Sequence, residues 1–381
     1  MRPTEAHLKT QYSDLSGHVP AVVLNWNGWE DTLDCLRSIK GSEHAGFVPV
    51  VVDNGSDAES LECLKEGCKQ IFSKTLFLKK GDLEKRKAVL RDEVGNYPGG
   101  DLLVFIENGE NLGFARGNNV GLRFAELIGA EWVMVLNNDT VVAPEMFREL
   151  RAFREAHREF VAITPQIRYY EPNTRIQNCG GDLTYFGSRK YRFAGKDASG
   201  LPKLDSLPVT FVTGCALLFK YTVTGALSED FFFGEEDYEF SLRMKKRGLK
   251  MACAYGAVVH HRMGSSAGRH SRPVGSILAH YANRLVNTRA YYSNLRWQVT
   301  KLLAYLRLPV LLRQNGVGVG KSIFIVRRTE AYLQAHERVS RADYESLING
   351  DPQTGSQPDG DGENSGETAF LGAKREHGAA D

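Results

Sequence analysis

From Phe240 to Thr329 the chain has no Asp or Glu, and the same stretch carries seventeen Lys and Arg. A whole-chain formal charge of +2 hides this, because the carboxylates are gathered before and after the stretch. A basic half of this kind faces an anionic partner: phosphate groups, nucleic acid or an acidic membrane surface. Cysteine is sparse as well. The six, at positions 35, 63, 68, 179, 215 and 253, form no CxxC pair and no metal-ligand spacing. In "TGCALLF" and "KMACAY" they read as buried free thiols in a reducing compartment. No apolar run reaches the ~18 residues of a membrane span, so no transmembrane helix is expected. The opening "MRPTEAHLKTQYSDLSG" has no apolar core of a secretory signal, and the expected location is cytoplasmic. Also missing is a G-x-G-x-x-G fingerprint after the first strand, where "NWNG" stands instead, and this counts against a dinucleotide-binding dehydrogenase.

What remains is an ordinary globular composition, 42% apolar and 25% charged, with ample length for a core. Strand-like and helix-like segments alternate. "PAVVLNW" (20–26), "FVPVVVDNGS" (47–56), "DLLVFIEN" (101–108) and "EWVMVLNND" (131–139) are short apolar runs that end in polar residues. Helical spacing follows at 30–39, where Leu33, Leu36 and Ile39 share a face, and near 58–66, 114–129 and 144–157, with Pro144 suited to a first turn. Alternation of this kind predicts an α/β layered domain with a largely parallel sheet, and such sheets bind ligands beyond the carboxyl ends of their strands. Segment 66–100 reads as an exposed Lys-rich insertion with some helix, 170–208 as turns and short strands, and 208–220 as one buried strand. A helix to about Arg247 is stopped by Gly248 and followed by a strand. Beyond Gly275 the pattern is helical to about Leu312, interrupted at Pro309, and the Gly/Asp/Ser-rich end reads as disordered.

Four features carry chemistry. Asn137-Asn138-Asp139 closes a strand with oxygen donors, which suits a hard cation such as Mg²⁺ or Mn²⁺, a phosphate, or a plain turn. "GEEDYEF" (234–240) crowds Glu235, Glu236, Asp237 and Glu239 at a helix start. They complement the helix dipole, and crowding raises carboxyl pKa values toward those of a general base. "VVHHRMGSS" (258–266) ends a strand with two histidines, structural unless the fold brings His261 to Asp139. "ENLGFARGNN" (110–119) offers Gly113 and Gly117 for close approach and Arg116 for a phosphate. "NGVGVGKS" (315–322) imitates a P-loop, but Asn315 stands where Gly is required.

In order, "VVLNWNG", "VVDNGSD", "ENLGFARGNN", "VLNNDT", "FVTGCALLF", "FFGEEDYEFSLR" and "AVVHHRMGSSAG" resemble the motifs of family 2 glycosyltransferases of the GT-A fold over residues 19–290. Within that family they look like the branch of rhamnosyltransferases of cell-surface polysaccharide synthesis. The resemblance implies a catalytic domain at 19–270, with a nucleotide-sugar half (19–140) and an acceptor half (141–270). A basic helical extension (271–348) and an acidic tail (349–381) would follow. It implies a nucleotide-sugar site at Asn25, Asn27, Asp53, Gly113, Arg116, Asn118, Asn137 and Asn138. Mg²⁺ or Mn²⁺ would sit at Asp139 and His261, Asp237 would be the catalytic base beside Glu236, and Thr213–Cys215 would line the acceptor side. The implied reaction inverts the sugar as it moves from dTDP-rhamnose or a UDP-sugar to a hydroxyl of a glycan or lipid-diphosphate-linked acceptor, with no nucleic acid involved. Asn137 stands where an Asp is common, which lowers the charge available for a metal.

For segment 296–312, "RWQVTKLLAYLRLPVLL", two expectations stand together: a helix lying on an anionic bilayer, or one packed on the catalytic domain. Two other functions share parts of the pattern. A sugar nucleotidyltransferase would need a Gly-rich basic loop where "NWNG" stands. An inactive glycan- or nucleotide-binding homologue would not need Asp139, Asp237 and His261 together.

Overall fold

The computed structural model describes residues 18–44, 46–95, 101–202, 204–262 and 274–349. Expectations for the first seventeen residues, "NYPGG" at 96–100, the end of the histidine motif (263–268) and the acidic tail from 350 lie outside this range.

The N-terminal half runs β1 (Val19–Asn25), α1 (Trp29–Lys40), β2 (Phe47–Asp53), α2 (Ala58–Ile71), β3 (Lys74–Lys79), α3 (Lys87–Gly95), β4 (Leu102–Glu107), α4 (Phe114–Ile128) and β5 (Trp132–Asn137). Its strands pair in parallel in the order β5-β1-β2-β4-β3. Side chains alternate between the faces of the sheet: Ala21 and Val23 pack with Leu33, Leu36 and Ile39 of α1, and Val22 packs with Leu122 and Phe124 of α4. Each fully buried Leu or Ile of this kind contributes roughly 1.5–3 kcal/mol. The 66–100 segment departs from the exposed insertion expected. Its β3 forms the edge of the main sheet, and Leu78, Leu83, Leu90 and Val94 are buried. The apolar positions in "TLFL" were masked by the flanking lysines.

The C-terminal half of the sheet is mixed. It contains β6 (Thr140–Val142), α5 (Met146–Ala156), β7 (Phe160–Tyr169), β8 (Ile176–Asn178), β9 (Gly181–Leu183), β10 (Arg189–Tyr191), β11 (Leu207–Val209), β12 (Ala216–Lys220), α6 (Tyr221–Thr224), α7 (Glu236–Lys246) and β13 (Lys250–His261). α5 begins after Pro144, not on it. Strand β12 lies antiparallel between β5 and β7, and β13 runs parallel to β7. The single strand expected at 208–220 is two, β11 and β12, because Thr210–Cys215 leaves the sheet to meet α7. Together these strands make the α/β fold a mixed sheet flanked by helices, the architecture that the GT-A resemblance leads one to expect.

Four helices follow: α8 (Val274–Tyr291), α9 (Asn294–Gln314), α10 (Val319–Ala335) and α11 (Arg341–Asn349). They share an apolar core of Ile277, Leu285, Leu308, Leu312, Ile325 and Leu333 that takes in Phe231 from the sheet domain. Pro309 does not interrupt α9, which continues to Gln314. Within 296–312 this helix has a packed side and an exposed side. Thr300, Leu308 and Leu312 are buried, while Leu295, Leu302, Leu306 and Val310 are 57–78% exposed along the opposite stripe. No described helix is long and apolar enough to cross a membrane. The P-loop imitation spans the α9–α10 connection and the first turn of α10, with no strand before it.

Candidate active site

Parallel pairing puts the carboxyl ends of β1, β2, β4 and β5 on one edge. There Asn25 Nδ2 donates to Asp53 Oδ1 (2.9 Å) and to Ser56 Oγ (3.0 Å). Thr32 Oγ1 donates to Asn25 Oδ1 (2.8 Å) and receives Asn138 Nδ2 (3.1 Å). Asp53 also accepts the backbone N–H groups of Gly55 and Ser56. Asn25, Asp53 and Asn138 are therefore one network, and the first two are buried, with their polar atoms spent on shaping the edge. Asn27 is exposed, in a left-handed conformation (φ 50°), and its Oδ1 accepts the Asp57 N–H. Asn137 follows at the end of β5, where its N–H donates to Cys215 O (2.8 Å).

Beside this edge, α4 begins at Gly113, whose φ of 80° favours glycine. A Cβ there would lie 2.1 Å from Phe232 O, so only glycine lets the Phe114 N–H reach that carbonyl (3.0 Å). Asn118 is buried in α4: its Nδ2 donates to Phe114 O, and its Oδ1 has no partner among the described residues. Arg116 is exposed and pairs with Glu229, away from the Asn25–Asp53–Asn138 network.

The antiparallel register of β6 with β13 sets His261 opposite Thr140 and so beside Asp139. His261 Nε2 lies 3.1 Å from Asp139 Oδ1, and its Nδ1 lies 3.0 Å from Gln177 Oε1. Nε2 is at ion-pair distance from Asp139 Oδ1, a buried oxygen with no hydrogen bond among the described residues, so a charged imidazolium suits the site. Burial opposes that charge, but neighbouring Cys215 and Asp139 outweigh it and raise the histidine pKa. Among the described residues no three His, Cys, Asp or Glu form a metal cage. Two adjacent donors still fit Mg²⁺ or Mn²⁺, which complete their shells with waters and substrate phosphate oxygens. His261 would have to give up its proton to ligate.

The acidic run at the start of α7 separates into three environments. Glu235 is buried at φ 73° and meets Arg189 Nη2 (2.8 Å), Arg284 Nη2 (3.0 Å) and His280 Nδ1 (2.9 Å). Burial opposes its ionisation, but Arg284, Arg189 and His280 hold it well below the usual carboxylate range. Glu236 is buried, its Oε1 accepts the Gly234 N–H (2.7 Å), and burial pushes its pKa up to about 8. Asp237 keeps 20% of its side chain exposed; Oδ2 accepts the Gly214 N–H (3.2 Å) and Oδ1 faces Arg189 Nη1 (3.4 Å). Its pKa is raised by burial, partly offset by Arg189. Crowding among carboxylates, the cause expected from the sequence, is secondary to burial at Glu236 and Asp237, and at Glu235 the shift runs the other way.

Thr213–Cys215 joins these places. Gly214 binds Asp237, and Cys215 O accepts from Asn137 at the polar edge. Sequence reasoning did not select Thr32, Ser56, Gln177, Arg189, His280 or Arg284. Asn54, at the polar end of β2, binds Asn108, Asn111, Leu112 and Gly113 and was visible as a strand-end residue. The two arginines lie 46 to 49 residues from the carboxylates they meet, and no local signal marks them.

The chain has relatives among known proteins. The "Low-salt glycan biosynthesis hexosyltransferase Agl10" of Haloferax volcanii is 25% identical over 262 residues, 67% of this chain and 69% of that protein. Among solved structures, mannosyltransferase PcManGT from Pyrobaculum calidifontis, in complex with GDP-Man and Mn²⁺, aligns at a TM-score of 0.47 and 14% identity, covering 87% of this chain and 79% of that one. TarS 1-349 of S. aureus aligns at 0.43 and 12%, covering 84% and 92%. Residues 17–274, more than half of the chain, match the family model "Glycosyltransferase like family 2", and the chain accordingly belongs to the family 2 glycosyltransferases, enzymes that transfer sugars.

Proposed function

We propose that this glycosyltransferase moves a sugar from a nucleotide diphosphate, dTDP-rhamnose or a UDP-sugar, to a hydroxyl of a glycan or lipid-diphosphate-linked acceptor, with inversion. The observation that carries this is the bridge at Thr213–Cys215, which binds Asp237 at one end and the β5 edge at the other. A base and a polar diphosphate edge are thereby held by one short segment.

In this reading Asn25, Asn27, Asp53, Asn137 and Asn138 shape the nucleotide-sugar site, with Gly113, Arg116 and Asn118 beside it. Asp139 and His261 would hold Mg²⁺ or Mn²⁺, which would supply positive charge against a departing diphosphate. Asp237 Oδ1 takes the proton of the acceptor hydroxyl as that oxygen bonds to the anomeric carbon. The bond from carbon to diphosphate oxygen breaks on the opposite face, so the configuration inverts. General base catalysis of this type contributes roughly 10²–10⁴-fold. Glu236, protonated at neutral pH by its raised pKa, holds Gly234 and the start of α7 rather than the proton in flight.

The acceptor reading includes a peripheral contact with an anionic membrane, supported by the exposed stripe of α9 and by seven Lys and Arg with no Asp or Glu between Asn294 and Thr329. The test of the reaction is nucleotide release and product formation across UDP-, dTDP- and GDP-sugars, with and without Mn²⁺. Release from one donor that Asp139→Ala and Asp237→Ala both abolish supports the reading. Failure of calorimetry to detect UDP or dTDP binding would sink it.

A further inference from the structure

We propose that Arg189, from the β9–β10 hairpin, is the positioning residue that orients Asp237 as the base. This rests on the assignment of Asp237 above and adds a residue from a separate element.

Asp237 is addressed from two directions. Its Oδ2 is held by the Gly214 N–H and its Oδ1 faces Arg189 Nη1, so neither oxygen is free to swing. Arg189 is itself fixed. Its Nη2 binds Glu235 at 2.8 Å, and its guanidinium lies 5.2 Å from the Phe211 ring centre and 6.0 Å from those of Tyr191 and Tyr238. Only 17% of its side chain is exposed.

The charge count gives the reason. Glu235 already has Arg284, which contacts both of its oxygens, and His280. Its backbone carbonyl receives Asn287 Nδ2. Neutralising Glu235 therefore does not require Arg189. The second guanidinium matches the second carboxylate, Asp237, since Glu236 is neutral. Buried ion pairs add little net stability, and a non-glycine residue in the left-handed region is itself strained. A four-membered charged cluster at such a position is better explained by the orientation it imposes than by stability.

The titratable groups that act on Asp237 are Arg189 and Tyr191 of β10, Arg284 of α8, and Glu235 and Glu236 of its own segment, while His280 of α8 meets Glu235. Of these, Arg189 is the largest influence keeping the Asp237 pKa down against burial. Without it the base would be protonated at higher pH.

The experiment is the pH profile of kcat/KM for wild type, Arg189→Gln, Arg189→Lys and Asp237→Asn, on the donor identified by the panel. Arg189→Gln should move the acid limb upward by about one pH unit or more, a loss of about tenfold at pH values below both limbs, and leave the high-pH plateau below wild type because the carboxylate is no longer oriented. Arg189→Lys should move it less. If Arg189→Gln lowers the rate by one factor at every pH, or leaves the limb in place, the positioning role is wrong while the Asp237 assignment stands. If Asp237→Asn retains the wild-type rate, both fall. Thermal melts of each variant report folding; should Arg189→Gln not fold, the limb of Arg189→Lys decides, displaced if the role is right and unmoved if it is wrong.

Discussion

Glu236→Gln isolates a single buried proton. Glu236 is 5% exposed, and its Oε1 accepts the Gly234 N–H, a bond that the Gln oxygen can keep. Burial raises the carboxyl from 4.5 to about 8. Between those values the folded protein holds a proton that the unfolded chain has lost. Stability therefore falls as pH rises through the window and levels off above pH 8. The glutamine has no proton to lose and removes this slope. At ~1.36 kcal/mol per unit, the stability advantage of Glu236→Gln over wild type should grow by about 3 kcal/mol between pH 5 and pH 8. Urea unfolding of both proteins at several pH values measures it, and subtracting the two curves cancels every other titrating group that the change leaves undisturbed. A difference that stays flat across the window would mean that Glu236 is ionised in the folded state, and the burial argument would be refuted.

Gly113→Ala sets a Cβ against Phe232 O in a left-handed backbone, and should cost on the order of 2–4 kcal/mol in denaturant melts; an unchanged midpoint would show that the start of α4 can shift freely. Asp139→Asn should weaken Mn²⁺-dependent nucleotide binding by at least about tenfold in calorimetry, roughly 1.4 kcal/mol, and leave metal-free binding less affected. Leu302→Ser with Leu306→Ser should reduce co-sedimentation with phosphatidylglycerol vesicles, since each leucine inserted is worth roughly 1.5–3 kcal/mol. Wild-type binding to those vesicles should weaken with salt and be absent on phosphatidylcholine; equal binding to both lipids would contradict the electrostatic part of that contact.

The strands and their polar ends were legible along the chain because a short apolar run followed by Asn or Asp is a local pattern. β1, β2, β4 and β5 needed nothing else, and the helices at 30–39 and 114–129 followed from 3.6-residue spacing. The edge strand β3 was hidden among lysines, since its burial depends on its partner β4 and not on its own composition. Pro309 read as a break, yet α9 passes through it with Leu308 and Leu312 buried in the core around it. Residue types at the candidate site were equally visible; their protonation was not. Glu235, Glu236 and Asp237 are consecutive and chemically alike, and their titration is pushed in different directions by groups that arrive from β10 and α8. Local sequence specifies which atoms could act. Burial and charges brought from distant segments decide which carboxylate is paired, which keeps its proton and which is left facing solvent, because electrostatic energy depends on distance through space and not along the chain.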